Sequence, residues 1–379
     1  MKSPTSAASL ERALPGADAL YAGLALPRLP GLDGIRAIAA LMVVVNHHDF
    51  TVVSGALGVT MFFVLSGFLI TWLLLAEHDD TGTVSLRHFY IRRSLRIFPA
   101  FYAYAALVIG LAIATSREID WPHTISSLLY VSNYYVAMNG EVATPLSHSW
   151  SLGIEEQFYL LWPLAFLLLR RHRRRMAMAL ACAIAVVWIR RAALSLGGTT
   201  WTYIHYAFDT RADQLLVGCL LAVSLKAGLA RGLFDRVTRS VWLSAATAVL
   251  LLASVPAGRA WGTRYQQTVG FALQPVIVAA LIVQVIALRD TALWGWLNVK
   301  WVAYLGTISY SVYLYQQIVP GPVMRALDHQ PAFFQLAVSC VVILALATAS
   351  YQLVERPFLR LKRRFEPPRR DAAAAANRL

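Results

Sequence analysis

Ten runs of about 17–25 mostly apolar residues recur along this chain, each long enough to cross a bilayer as a helix. They lie near residues 35–53, 57–76, 98–115, 151–169, 176–194, 211–226, 240–256, 268–287, 302–319 and 332–354. Inside lipid a backbone must satisfy its own polar groups, so runs of this length fold as helices. The expected fold is an all-α membrane protein with about ten transmembrane helices. Composition agrees, because 58% hydrophobic residues, 14% charged residues and a mean hydropathy of +0.55 are far from what a soluble domain carries.

An even number of spans puts both termini on one side, and the basic residues say which. Arg36 lies inside the first span. Of the other Lys and Arg, only Arg117, Arg190, Arg191, Arg211, Arg259, Arg264 and Arg325 fall on one side of the alternating connections. The remainder, including the RRHRRR block at 170–175 and the final LKRRFEPPRR, fall on the other, so both termini are expected in the cytoplasm. This asymmetry accounts for the net charge of +14 without nucleic acid and makes membrane lipid the partner of the basic loops.

Residues 1–30 lack the apolar core of a signal peptide and read as a cytoplasmic tail, with the first span as an uncleaved anchor. Residues 31–358 form the membrane domain, and 359–379 form a basic tail expected to be disordered. Cys182, Cys219 and Cys340 all sit in apolar runs, which offers neither a disulfide framework nor a metal site. Residues 116–150 hold WPHTISSLLYVSNYY, a half-apolar segment that lies along the interface or re-enters.

The first span carries Arg36 near one end and His47 near the other, about three turns apart on nearly one face. Arg36 can be a snorkelling anchor and His47 a packing hydrogen bond, but ionisable groups inside a membrane are functional candidates. A histidine titrates near neutral pH and suits general base work, with His48 and Asp49 as neighbouring orienting groups or simply the polar end of the helix. Arg93 and Arg96, three apart on one helix face, suit chelation of a phosphate-rich group, or serve as topological anchors. Glu155 and Glu156 open the fourth span among His148, Trp150, Gln157 and Tyr159, a denser polar set than a helix cap requires. At the outer mouth of the sixth span stand Asp209, Arg211 and Asp213, which can also form a local ion-pair cluster.

Together GLDGIRAIAALMVVVNHH, GVTMFFVLSGFLIT, RRSLRIFPAFY, HSWSLGIEEQFYLLWP, DTRADQLLVG, ISYSVYLYQ and VERPF resemble the integral-membrane acyltransferase 3 family of the bacterial O-antigen and exopolysaccharide O-acetylase type. The resemblance runs from about Gly31 to Phe358. It implies ten membrane helices in the bacterial inner membrane. It also implies transfer of an acyl group, here acetyl, from cytoplasmic acyl-CoA to a hydroxyl of a glycan or small molecule. No permanently bound cofactor is implied, only acetyl-CoA as co-substrate. The family's paired arginine and histidine correspond to Arg36 and His47, its RxxR position to Arg93 and Arg96, and its WSLxxE glutamate to Glu155. Two departures stand out. Gln316 occupies a position where histidine is frequent, and no hydrolase-like domain follows the last helix, which points to a stand-alone transferase.

The expected mechanism puts the CoA phosphates near Arg93 and Arg96 and brings the thioester inward to His47. His47 then either deprotonates the acceptor or carries the acyl group itself, with Glu155 orienting the imidazole and Arg36 holding helix or donor. His148, Trp150, Tyr159, Arg211 and Asp213 are expected to bind the acceptor. A transporter or flippase of a lipid-linked glycan is the alternative; it predicts inverted repeats, and none is visible.

Overall fold

The computed structural model describes residues 16–48 and 53–366. Half of the expected N-terminal tail, Asp49 and most of the basic C-terminal tail lie outside the described residues. A short helix α1 (Ala17–Leu24) leads into α2 (Leu32–Asn46), α3 (Gly55–Thr81) and α4 (Leu86–Ala114). The small helices α5 (Trp121–Leu128) and α6 (Ser132–Asn139) precede α7 (Ser149–Leu169) and α8 (Arg173–Leu196). The chain continues through α9 (Trp201–Tyr206), α10 (Phe208–Lys226), α11 (Arg231–Thr238), α12 (Val241–Ala260), α13 (Gly262–Tyr265) and α14 (Phe271–Ala287). It ends with α15 (Lys300–Thr307), α16 (Ser309–Tyr315), α17 (Pro320–Ala326), α18 (Ala332–Ser350) and α19 (Arg356–Lys362). Single π-helical turns, Gln266–Gly270 and Tyr351–Glu355, join α13 to α14 and α18 to α19.

Among the described residues, seven helices are long and apolar enough to cross a membrane, or eight if the bent pair Trp201–Lys226 and Arg231–Thr238 counts as one span. Leu161, Leu168, Ile189 and Leu353 are exposed on their outer surfaces, as lipid contact requires. This is a multi-pass membrane fold. Two of the apolar runs are built otherwise than hydropathy alone predicts. The first gives a helix of only 15 residues, because it stops at the polar Asn46-His47-His48. The ninth breaks at Ile308 between α15 and α16, within Gly306-Thr307-Ile308-Ser309, a stretch of weak helix formers. Conversely, α4 starts at Leu86 rather than near residue 98, so Arg93 and Arg96 belong to the same rigid helix as the span.

The middle of the bundle is α3 against α10, and small residues decide how close they come. A Cβ on Gly67 would sit 1.9 Å from the Leu215 carbonyl oxygen, and one on Gly218 would sit 2.1 Å from that of Val64. Only glycine permits this approach, which replaces hydrophobic driving force with close van der Waals packing. Gly218→Val is therefore expected to destabilise the bundle by at least the ~1–3 kcal/mol typical of overpacking. Thermal unfolding in detergent would register a lowered Tm, whereas an unchanged Tm would mean the helices can part without loss.

Basic segments gather at one end of the bundle. Asp79 near the end of α3 pairs with Arg173 at the start of α8 and lies 3.9 Å from Lys226 at the end of α10. Arg92 of α4 binds Glu77 of α3 at 2.7 Å and the Phe365 carbonyl at 2.8 Å. At the opposite end, α5 and α6 pack their buried Ser126, Ser127, Ser132 and Asn133 toward the start of α7, where Ser149 bonds both Ser127 (2.9 Å) and Ser132 (2.8 Å). The ambiguous segment 116–150 is thus a pair of short helices that seat the head of α7.

Candidate functional site

Three cavities follow one another along α2 and α3. At the basic end, a funnel of about 810 Å³ is lined by Asp33, Arg36, Glu77, Arg92, Arg93, Arg96 and Lys362. It shares Arg36, Leu69, Leu73, Arg93 and Arg96 with a central cavity of about 250 Å³, whose walls include Phe62, Ser66, Ser151, Glu155, Tyr159, Ser309 and Tyr310. Val59 and Tyr313 line both this cavity and an outer one of about 410 Å³, which holds Asn46, His47, Glu141, His148, Trp150, His205, Tyr206, Gln316 and Gln317.

Arg36, Arg93 and Arg96 form no salt bridge among the described residues. Arg92, beside Arg93, is by contrast committed to Glu77. The Arg93 guanidinium lies over the Tyr159 ring, 4.9 Å from its centroid, an arrangement that holds the cation while leaving its N–H groups available. Three arginines outside any salt bridge thus surround one opening, with Asp33 and Glu155 within electrostatic reach of Arg36.

In the central cavity Glu155 accepts a hydrogen bond from the Ser66 hydroxyl at 2.6 Å. Both residues are half-buried, and Arg36 and Arg93 lie within electrostatic reach of the carboxylate. Tyr313 is tied down from α7, its hydroxyl 2.5 Å from Ser151 Oγ and donating to the His148 carbonyl at 3.1 Å.

The outer cavity distinguishes the two adjacent histidines. His47 Nδ1 lies 2.8 Å from the Val43 carbonyl. A carbonyl only accepts, so in the neutral ring Nδ1 carries the proton and Nε2, which has no partner among the described residues, keeps its lone pair. His48 is buried, with Nδ1 at 3.3 Å from the Val44 carbonyl and Nε2 at 2.8 Å from Ser339 of α18. Its two nitrogens are used in packing, so His48 does not orient His47. The expected contact between His47 and Glu155 is not made either: Glu155 bonds Ser66 in the central cavity, whereas His47 bonds the Val43 carbonyl and lines the outer one.

Of the residues expected to meet an acceptor, His148 and Trp150 line the outer cavity and Tyr159 lines the central one. Arg211 and Asp213 line neither. Asp213 is fully buried and paired with the equally buried Arg191 of α8 at 2.9 Å, while Trp188 donates to it at 2.9 Å. The Arg211 guanidinium lies over the Phe271 ring, 4.1 Å from its centroid. Asp213 is thus taken up by a buried ion pair, whereas Arg211 is buried with none of its guanidinium nitrogens hydrogen-bonded among the described residues and lies within electrostatic reach of Tyr206 and His205 of the outer cavity wall.

Several lining residues carry no signal of their own in the sequence. Ser66 reads as a packing residue in an apolar helix, yet Val59, Phe62, Ser66, Leu69 and Leu73 form a stripe at helical spacing that faces the central cavity. Tyr310 and Tyr313 are three apart in the same way on α16. Gln316, at the position where the sequence departs from the family pattern, is buried in the outer cavity wall with neither side-chain polar atom hydrogen-bonded among the described residues.

Residues 29–352 match a family model described as an acyltransferase domain. The chain belongs to that acyltransferase family. Relatives include the YrhL protein of Bacillus subtilis (strain 168), provisionally named a peptidoglycan O-acetyltransferase, which is 30% identical over 87% of this chain and 54% of its own length. The peptidoglycan O-acetyltransferase OatA of Listeria monocytogenes is 29% identical over 87% of this chain and 55% of its own. A Staphylococcus aureus (strain COL) protein, provisionally named an O-acetyltransferase, is 38% identical over 51% of this chain and 34% of its own. The chain thus spans about half the length of YrhL and OatA. No solved structure matches it. With its apolar helices and these relatives, the acyltransferase chain is a multi-pass bacterial membrane protein.

Proposed function

We propose that this acyltransferase moves an acetyl group from acetyl-CoA, bound at the basic and cytoplasmic end, to a glycan hydroxyl in the outer cavity. The names of YrhL and OatA favour peptidoglycan as the glycan. The observation that supports the reading is the succession of three cavities with shared lining residues, from arginines outside any salt bridge at one end to a His47 Nε2 without a partner among the described residues at the other. Arg36, Arg93 and Arg96 would hold the phosphates and the head of the pantetheine arm, whose apolar stretch suits the wall formed by Phe62, Leu65, Leu69 and Leu73. Trp150 and Tyr206, packed edge to face with ring centroids 4.9 Å apart, together with Gln317 and Glu141, offer the mixed aromatic and polar surface that a sugar ring needs.

In the direct route the acceptor oxygen attacks the thioester carbonyl carbon, the new C–O bond forms and the C–S bond breaks. The hydroxyl proton passes to His47 Nε2 and ends on the departing thiolate, so an ester and a free thiol result. The same Nε2 is also the nitrogen that would accept the acetyl group in a two-step route. A carrier of lipid-linked glycans is not favoured, because the relatives are named for acetyl transfer.

Purified protein in liposomes, given radiolabelled acetyl-CoA on one side and soluble peptidoglycan fragments on the other, is expected to transfer label to the glycan. Arg93→Ala and Arg96→Ala are expected to raise KM for acetyl-CoA by roughly tenfold, about what losing one charged hydrogen bond costs, with a much smaller effect on the acceptor. Equal effects on both substrates would reduce these arginines to topological anchors.

A further inference from the structure

We propose that Val59 and Tyr313 form a fixed septum that sets the length of the acyl group the enzyme accepts. The inference rests on the acyl-CoA reading above. The central and outer cavities have in common only these two lining residues, so an acyl group delivered from the central cavity toward His47 has to present itself between them. Both are buried in the bundle.

Neither side of the opening is free to yield. On α3, Gly58 precedes Val59 and is pressed against α2, where an added Cβ would meet the Ala39 carbonyl oxygen at 2.6 Å. On α16, the Tyr313 hydroxyl is anchored by Ser151 and by the His148 carbonyl, and its ring packs edge to face on Phe62 (6.2 Å) and on His148 (5.3 Å). The Val59 methyls and the anchored Tyr313 phenol would therefore bound the passage that this route requires, with a width set by side-chain size. An acetyl group brings one methyl to it. Each further methylene must find space in the same passage, because the acyl chain is the leading end of the donor.

The transfer step is unchanged from that above: C–O forms, C–S breaks, and the proton ends on the thiol. The septum acts only on which thioester can place its carbonyl carbon near His47 Nε2.

The test is the ratio of kcat/KM for propionyl-CoA to that for acetyl-CoA, with soluble peptidoglycan fragments as acceptor. A ratio is insensitive to the fraction of protein that folds. Val59→Ala is expected to raise it at least about tenfold, the effect of accommodating one methylene, and Val59→Ile to lower it. Either variant alone suffices if the other cannot be purified. An unchanged ratio in the variants, with wild type active on acetyl-CoA, overturns the septum and leaves the donor assignment standing. Failure of the wild type to use any acyl-CoA overturns both.

Discussion

Replacing His47 with glutamine is expected to lower acetyl transfer by about 10²–10⁴-fold, the range that a positioned general base contributes. Glutamine can still donate an amide N–H toward the Val43 carbonyl, so the end of α2 keeps its local hydrogen bond. What it lacks is a nitrogen that can take a proton or an acyl group. Because the basic funnel lies about three turns of helix away, binding of CoA should be almost unaffected. Equilibrium titration of CoA beside single-turnover transfer separates the two quantities. Undiminished transfer would remove His47 from the chemistry, and a parallel loss of CoA binding would mean that the variant disturbs the bundle rather than the reaction.

The second large effect is expected at Glu155. Glutamine there preserves an oxygen that can accept from Ser66, now 2.6 Å away, but removes the negative charge that faces Arg36 and Arg93. Three arginines would then share an apolar setting with less to balance them, and the donor-binding face would rearrange. A loss of about 10²-fold in kcat/KM for acetyl-CoA is expected, of the size seen when one member of a buried charge group is removed. Restoring a carboxylate one methylene shorter, Glu155→Asp, should recover part of the loss. If glutamine is as active as glutamate, the residue matters only through its hydrogen bond to Ser66.

Much of this was legible without coordinates, for physical reasons. Apolar runs in lipid have little choice but to be helical, and a guanidinium or imidazole placed in such a helix must face the interior, so Arg36, His47, Arg93 and Glu155 stood out at once. What hydropathy could not reveal is where a helix stops or breaks, as at Asn46 and Ile308, because those points are settled by tertiary contacts. Nor could it reveal depth. His47 and Glu155 were expected to touch, and they sit in separate cavities instead. An ion pair and a ligand site use the same residue types, so the sequence alone does not separate Asp213, which the buried guanidinium of Arg191 engages, from Arg211, which rests on the Phe271 ring with its nitrogens unbonded among the described residues. Val59, Ser66 and Tyr313 were unremarkable in sequence, since their importance comes from which cavities they border.

The Arg191–Asp213 pair also bears on how the chain enters the membrane. Each residue alone would oppose insertion of its helix, by an amount that shrinks toward the interface and reaches about 3 kcal/mol at mid-bilayer. Their partnership joins α8 to α10 across residues made one after the other on the ribosome. During synthesis α8 therefore cannot form its buried ion pair until α10 has emerged, and the bonds of Arg191 and Ser195 to Gln267 wait for the turn before α14, so α8 to α14 are best regarded as a single unit of biogenesis.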